Sequence, residues 1–410
     1  MAWEIDNNEV ENVVQIKVIG VGGGGGNAVN RMIERGIQGA EFIAVNTDKQ
    51  VLSKSQATHK IQIGEKTTHG QGAGGDSETG AAAAEESRQV LEEALANTDM
   101  VFITTGMGGG TGTGAAPIIA EIAKKKDILT IGVVTKPFNW EGKRRMKLAL
   151  DGIDKLVKNV DSLIVIPNQK LLLGGNKTTQ AVNAFATADE VLLQGVKSIS
   201  ELITVPGFIN LDFADIKSVM ENAGYAHMGV GTAKGKDKAT VAAKQAISSP
   251  LLETSIAGAK GIIISFVASE DIDIEEIEAA AEIITNSAAE DANITWGIVF
   301  NPELDDELVI TVIATGFDNI GNDPKSATTN PFYTASKATP VDFKATAPAK
   351  KSAAPAGPSI PTFDPSSEVS SGSAAEPQIP QSGNTSASGD AFDEDEFYSL
   401  INNLIPKNDK

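Results

Sequence analysis

The densest ligand-binding chemistry in this sequence lies in Gly106-Met107-Gly108-Gly109-Gly110-Thr111-Gly112-Thr113-Gly114. The run follows residues 100–105, an apolar stretch with strand character, and precedes residues 115–122, which read as a helix with Pro117 in its first turn. A strand, a glycine loop and a helix N-terminus in succession make an anion site. Glycines let the backbone approach a ligand and take φ > 0, while the first helical N–H groups and the helix dipole favour negative charge. Thr111 and Thr113 add hydroxyl donors. A merely flexible loop has no need to sit so tightly between a strand and a helix. The chemistry indicated is phosphate binding.

Two more glycine stretches repeat the theme. A buried strand over 13–19 runs into Gly20-Val21-Gly22-Gly23-Gly24-Gly25-Gly26-Asn27 and then a helix. Gly20, Gly22 and Gly25 fit the G-x-G-x-x-G dinucleotide pattern, although any five-glycine run satisfies much of it. Gly70-Gln71-Gly72-Ala73-Gly74-Gly75-Asp76 leads into an alanine-rich helix over 80–96. A dinucleotide fold needs one such loop; a polyphosphate held from several sides uses three. No G-x-x-x-x-G-K-[ST] occurs, and Gly142-Lys143 and Gly235-Lys236 lack the rest of that pattern. Phosphate charge must then be met by backbone N–H groups, helix N-termini and a cation such as Mg²⁺.

Four acidic and amide residues stand out beyond the loops. Asp189 lies in the middle of a long helical pattern, where an unpartnered buried carboxylate is costly. Guanine offers two parallel donors that a carboxylate accepts together, and adenine offers neither; a solvated helix-face acid is the alternative. Asn210, Asp212 and Asp215 begin another helix, with the two acids three residues apart. Paired carboxylates there can orient an attacking water and help hold a cation. Equally, Asp212 can be a plain N-terminal cap. These residues are separated from the glycine loops by the long helix, so one chain cannot readily bring both together.

Alternating strands and helices position these groups. Strand runs at 13–19, 42–45, 100–105, 128–134 and 162–166 interleave with helices, which predicts a parallel, doubly wound α/β sheet with all three glycine loops at one end. Residues 179–204 read as one long helix bridging to a second, smaller α+β domain, with helices at 212–223, 239–249 and 273–288 and strands at 226–232, 261–268, 293–300 and 308–315. The expected organisation is a flexible 1–12, a nucleotide-binding domain 13–178, a central helix 179–205, an activation domain 206–317, a disordered linker 318–391 and a partner-docking tail 392–410.

Totals exclude several classes. The 410 residues carry a net charge of −20, which argues against nucleic acid or an anionic lipid surface as partner. Cysteine is absent, and His59, His69 and His227 lack ligand spacing, so thiolate catalysis and a Cys- or His-based metal site are not expected. The start, Met1-Ala2-Trp3-Glu4, lacks the features of a signal peptide, and no apolar run approaches ~18 residues. A soluble, cytoplasmic protein with no direct membrane span is expected.

Taken together, these motifs resemble the tubulin/FtsZ family, in its bacterial cell-division branch. Gly108 to Gly114 is similar to the family signature. The loop at 22–27, Lys136-Pro137-Phe138-Asn139-Trp140-Glu141-Gly142 and the stretch from Pro206-Gly207 through Asn210-Leu211-Asp212-Phe213-Ala214-Asp215 resemble family segments in the same order, and the likeness covers residues 13–317. The resemblance implies a GTPase that stacks head to tail into filaments and a mid-cell division ring, using GTP/GDP and Mg²⁺. It assigns phosphate contacts to Gly23, Gly24, Gly25, Gly26, Asn27, Ala73, Gly74, Gly75, Gly109, Gly110, Thr111 and Gly112. Glu141 and Arg145 fall to the ribose and phosphate region, and Asn168, Phe185 and Asp189 to guanine. Asn210, Asp212 and Asp215 would complete the catalytic site of the neighbouring subunit; no protein ligand for the metal is assigned. A Rossmann-type oxidoreductase using Gly20, Gly22 and Gly25 is the rival reading, but it has no use for the loop at 106–114.

The family implies a C-terminal peptide that docks a division-protein membrane tether and regulators. Two segments compete for that role. Ile360-Pro361-Thr362-Phe363 resembles the family's core but is followed by Asp364; Phe397, Leu400, Ile401 and Leu404 form a helical stripe within 392–405, and this terminal stripe is favoured over an inert tail.

Overall fold

The computed structural model describes residues 14–172, 181–205, 207–249, 251–252, 256–269, 272–302, 304 and 306–317. The expected N-terminal segment, the linker and both tail candidates lie outside the described residues.

In chain order the elements are β1 (Ile16–Val21), α1 (Gly22–Glu34), β2 (Ala40–Asn46), α2 (Lys49–Ser53), β3 (His59–Gln62), α3 (Glu65–Thr68), α4 (Ser77–Glu86), α5 (Arg88–Ala94), β4 (Met100–Gly106), α6 (Thr111–Lys125), β5 (Leu129–Lys136), α7 (Lys143–Leu156), β6 (Ser162–Pro167) and α8 (Asn168–Leu171). There follow α9 (Ala181–Thr204), α10 (Phe213–Met220), β7 (Gly224–Lys234), α11 (Lys238–Ile247), β8 (Gly261–Ala268), α12 (Ile274–Thr285), β9 (Asn293–Phe300) and β10 (Glu307–Thr315). Strands run β3-β2-β1-β4-β5-β6-β7-β10-β8-β9. The first six are parallel, and their order reverses between β1 and β4. In such sheets a ligand crevice opens beyond the strand C-termini at that reversal. β7 pairs parallel with β6 only from Gly224 to Ala226, then continues as the antiparallel partner of β10. β8 pairs antiparallel with β10 and parallel with β9.

The central parallel strands are largely apolar because both faces are covered, whereas the edge strand β3 is polar and partly exposed. Alternation sends Val18 and Phe102 to a core shared with α1 and α9, and Ile19 and Ile103 to one shared with α6 and α7. A third core lies under α11 and α12, built on Ile264, Phe266, Ile310 and Val312. α9 packs on both the parallel part of the sheet and the part built of β8 and β10: Leu192, Leu193, Val196, Ile199 and Leu202 are buried in the cluster that also holds Ile131, Ile263 and Ile313. Burying such a side chain contributes roughly 1.5–3 kcal/mol, so the helix is a rigid strut held along its length.

The alanine-rich helix expected over 80–96 is two helices. α4 starts earlier, at Ser77, and the chain breaks at Ser87, whose Oγ accepts the Gly64 N–H at 3.0 Å. A serine hydroxyl that finds backbone outside the helix competes with helical continuation.

Candidate functional site

Each glycine stretch sits beyond the C-terminal end of a parallel strand. β1 passes into α1 at Gly22, where φ of +71° turns the chain. Gly23, Gly24, Gly25, Gly26 and Asn27 are therefore the first turns of the helix itself, and its leading N–H groups face outward. β4 passes through 107–110 into α6, which begins at Thr111 rather than near Ala115. Pro117 consequently lies inside the helix, not in its first turn. Glycine's weak helix propensity suggested a loop; packing overrides it. A methyl group on Gly112 would lie 2.1 Å from Thr105 Oγ1, and one on Gly114 would lie 2.1 Å from the Ser77 carbonyl oxygen.

The same close approach joins the three stretches. A methyl on Gly22 would stand 2.9 Å from the Gly112 nitrogen, and one on Gly110 2.9 Å from both Ala73 Cβ and the Asp76 nitrogen. By contrast, methyls on Gly23, Gly26, Gly74, Gly75 and Gly109 would meet nothing within 4 Å. The backs of the loops are pressed together and their faces are open, which is the geometry for bringing an anion onto backbone N–H groups. A cavity of about 120 Å³ lined by Gly20, Gly22, Gly26, Asn27, Asn30 and Asn46 lies beside the start of α1.

Hydroxyl and carboxylate contacts fix the loops. The Oγ1 atoms of Thr47 and Thr111 share a hydrogen bond at 2.6 Å, and Thr105 Oγ1 donates to the Val21 carbonyl at 2.9 Å. The Gly108 N–H donates to Thr113 Oγ1 at 2.8 Å. Asp76 caps α4, and the Thr79 hydroxyl with the amides of Glu78 and Thr79 holds its carboxyl below the usual range.

Beside the loops, Glu141 accepts the Phe138 N–H at 2.8 Å and pairs with Arg145 at 3.2 Å. Arg145 leans on the glycine run, since a methyl on Gly108 would lie 2.8 Å from its Cγ. Trp140 stacks on buried Phe138 at 5.6 Å, and Phe185 meets both rings edge-on at 5.3 and 5.9 Å. Asn168 opens α8 at the end of β6; it is buried, and its Oδ1 has no hydrogen-bond partner among the described residues. A buried orphan amide oxygen at a strand end calls for a donor from outside the chain. Asp189, one turn beyond Phe185, is partly buried, and burial pushes its carboxyl up to about 6, against the pull of nearby Arg31 and with the push of Glu190. Glu190 in turn holds Arg31 at 3.4 Å and Arg35 at 3.3 Å, tying α9 to α1.

Asn210, Asp212 and Asp215 are not part of this assembly. The 24 residues of α9 span about 36 Å at 1.5 Å per residue before the chain reaches them. Asn210 Oδ1 accepts the Gly207 N–H at 2.5 Å, Asp212 caps α10, and all three side chains are exposed. Phe213, next to Asp212, lines a cavity of about 590 Å³ with Gln15, Asp99 and Ile128, which mark the N-terminal ends of β1, β4 and β5. The acids thus lie at the pole of the sheet opposite the glycine loops. Among the described residues, no group of three or more acidic or histidine side chains is placed to hold a metal ion by itself.

Residue reading did not single out Arg31, Phe138 or Trp140 as site residues. Trp140 carried no signal for it, because its meeting with Phe185 is long-range.

Residues 15–174 match the family model described as the Tubulin/FtsZ family, GTPase domain, and residues 224–318 match the FtsZ family, C-terminal domain. Among solved structures, an empty FtsZ dimer from M. jannaschii is similar at 44% identity and a TM-score of 0.71, covering 74% of this chain and 88% of that one. A point variant of M. jannaschii FtsZ is similar at 43% identity and a TM-score of 0.72, covering 74% and 91%. CetZ1 from Haloferax volcanii, a GDP-bound monomer, shares the fold at 20% identity and a TM-score of 0.65, covering 75% and 96%.

Proposed function

The chain belongs to the FtsZ family and is a guanine-nucleotide-binding GTPase, and from that premise we propose that it polymerises head to tail and hydrolyses GTP at a site shared by two subunits. One observation carries this reading: the open glycine faces and the acids of the 210–215 loop stand at opposite poles, a helix-length apart. Stacking one subunit on the next brings the two together. The M. jannaschii relative, solved as a dimer, supports self-association.

In this reading Gly23, Gly24, Gly25, Gly26 and Asn27 on α1, Ala73, Gly74 and Gly75 before α4, and Gly109, Gly110, Thr111 and Gly112 at α6 hold the phosphates through N–H groups. Glu141 and Arg145 flank the ribose and phosphates. Phe185 stacks on the base, Asp189 accepts guanine's N1–H and 2-amino group, and the orphan oxygen of Asn168 provides a further buried contact. The neighbour's Asn210, Asp212 and Asp215 orient water toward the γ-phosphate. The donor set suits Mg²⁺ held mainly by phosphate oxygens and water, with one or two carboxylates. When bound, Mg²⁺ neutralises charge developing on the phosphates.

The residue ranges 13–178, 179–205 and 206–317 serve as nucleotide domain, strut and activation domain. We further infer a cytoplasmic location, action in the mid-cell division ring, and attachment through the C-terminal tail. No described helix is long and apolar enough to cross a membrane.

GTP hydrolysis measured against protein concentration, with light scattering read in the same cuvette and Mg²⁺ present, tests the shared site. Activity per subunit should be near zero below a threshold and rise as scattering appears. Constant activity per subunit with no scattering would mean a self-contained site.

A further inference from the structure

Asp189 stands beside a cation and does not pair with it. The Arg31 guanidinium is near enough to pull on the Asp189 charge, yet among the described residues that carboxylate takes no hydrogen bond and no ion pair. Arg31 is held elsewhere. Glu190, the next residue on α9, accepts from Arg31 Nη1 at 3.4 Å and from Arg35 Nη2 at 3.3 Å, both through Oε2. The side chains of Glu190, Arg31 and Arg35 are all half-buried. We propose that Glu190 is a positioning residue for base recognition, which holds Arg31 so that the Asp189 carboxylate stays open for guanine. The role rests on the assignment of Asp189 to the base, proposed above, and deepens it.

The chemistry of the competitor gives the reason. Guanine's N1–C2–N2 edge is itself a guanidine and presents two parallel N–H donors. An arginine side chain presents the same pair of donors, and it fits a carboxylate bidentately. Arg31 therefore carries, inside the chain, a copy of the edge that Asp189 is to read.

Arg31 is also placed to intrude. Asn27, Arg31 and Arg35 recur every four residues and share one face of α1 and its cap. Asn27, a proposed nucleotide contact, lies one turn before Arg31, so Arg31 borders the base site from α1 while Phe185 and Asp189 border it from α9. A partly buried carboxylate without a partner is costly, and a free guanidinium beside it would take it. Glu190 lies one residue further on, about 100° around the helix axis, and so draws Arg31 aside. Arg35, bonded to the same oxygen, fixes Glu190 in place. The other use of such a trio is a plain tie between α1 and α9.

The test is nucleotide titration on the full chain with Mg²⁺, well above pH 6 so that Asp189 is ionised, with thermal melts alongside. The probes are GTP and inosine triphosphate, which keeps the N1–H and lacks the 2-amino group. Glu190→Gln keeps the side chain's size and gives up its charge, releasing Arg31 to Asp189. GTP affinity should fall about tenfold or more, and the preference for GTP over inosine triphosphate should shrink. Adding Arg31→Met to Glu190→Gln removes the competitor and should restore both affinity and preference. A plain tie predicts the reverse, because the double variant has lost both halves of it: affinity stays low and follows the melting temperature. That result, or unchanged GTP affinity in Glu190→Gln, would overturn the positioning role; with Asp189→Asn still binding weakly, the base assignment would stand. Asp189→Asn binding GTP as the unmodified chain does would bring down the base assignment itself.

Discussion

Asp212 and Asp215 hold each other: the Asp215 N–H donates to Asp212 Oδ1 at 2.8 Å, and the Asp212 N–H donates to Asp215 Oδ2 at 3.2 Å. The pair is a reciprocal helix cap that still presents two carboxylates to solvent. The capping role and the proposed catalytic role therefore coexist in the same atoms, and a single alanine substitution would confound them.

Asp212→Ala should lower stability by about 1 kcal/mol through the lost cap and also abolish most turnover. Asp212→Asn separates the effects, because asparagine caps as well as aspartate. Thermal unfolding of the Asn variant should stay near that of the unmodified chain while GTP turnover in assembled protein drops by about a hundredfold or more. Unmodified turnover in Asp212→Asn would reduce the residue to a cap.

Two glycines in one helix should respond in opposite directions. A methyl on Gly25 would sit 2.2 Å from the Thr104 carbonyl oxygen, so Gly25→Ala should cost about 1–3 kcal/mol of stability. Gly23 faces open space in the same turn. Gly23→Ala should hold or raise the melting temperature, by up to about 1 kcal/mol of helix propensity, while weakening GTP binding. Calorimetric unfolding and nucleotide titration on the two variants check the contrast.

Much of this arrangement was legible in the residues. The strands could be read because both faces of the parallel sheet are covered, leaving uninterrupted runs such as residues 100–105. What escaped was whatever long-range packing decides. α6 begins inside a glycine run because Thr105 and Ser77 press against Gly112 and Gly114, and propensity cannot anticipate that. The Thr47–Thr111 bond joins residues 64 apart. Asp189 could be read either as buried or as solvated, and only its place beside α1, near Arg31, decides for burial.

If Asp189 takes the base as proposed, that burial should make nucleotide affinity depend on pH. The Asp189 carboxyl titrates at about 6 in the fold, above its ordinary 3.8. Between those values the folded chain keeps a proton that the unfolded chain has lost. The group's contribution to stability is therefore largest at low pH and is lost as pH rises through 6. Guanine's donors need the ionised form, so GTP affinity should rise as pH climbs through 6 and level off above it. Below that point it should fall by up to about tenfold per pH unit. Asp189→Asn should bind weakly at every pH with a flat profile across this range; a sloping profile in that variant would assign the titration elsewhere.

The Thr47–Thr111 bond invites a double-mutant cycle. Thr111→Val leaves the fully buried Thr47 hydroxyl unpaired and should cost about 1–3 kcal/mol. Replacing both by valine should recover much of that loss, because no orphan hydroxyl remains. Denaturant melts of the four proteins give the coupling, and additive losses would mean the bond contributes little.

On the proposed head-to-tail reading, the length of α9 sets an arithmetic for the polymer. When the loops that grip a nucleotide and the acids that act on it are a strut apart, a row of n subunits owns n − 1 finished sites. One terminal subunit always holds a nucleotide that nothing can cut, and the opposite terminal subunit always offers acids with nothing to act on. Turnover per subunit then scales as (n − 1)/n, so short rows are poor catalysts and fragmentation alone slows the reaction. The uncut terminal nucleotide makes the two ends chemically different, and each internal subunit starts its clock only when the next one arrives.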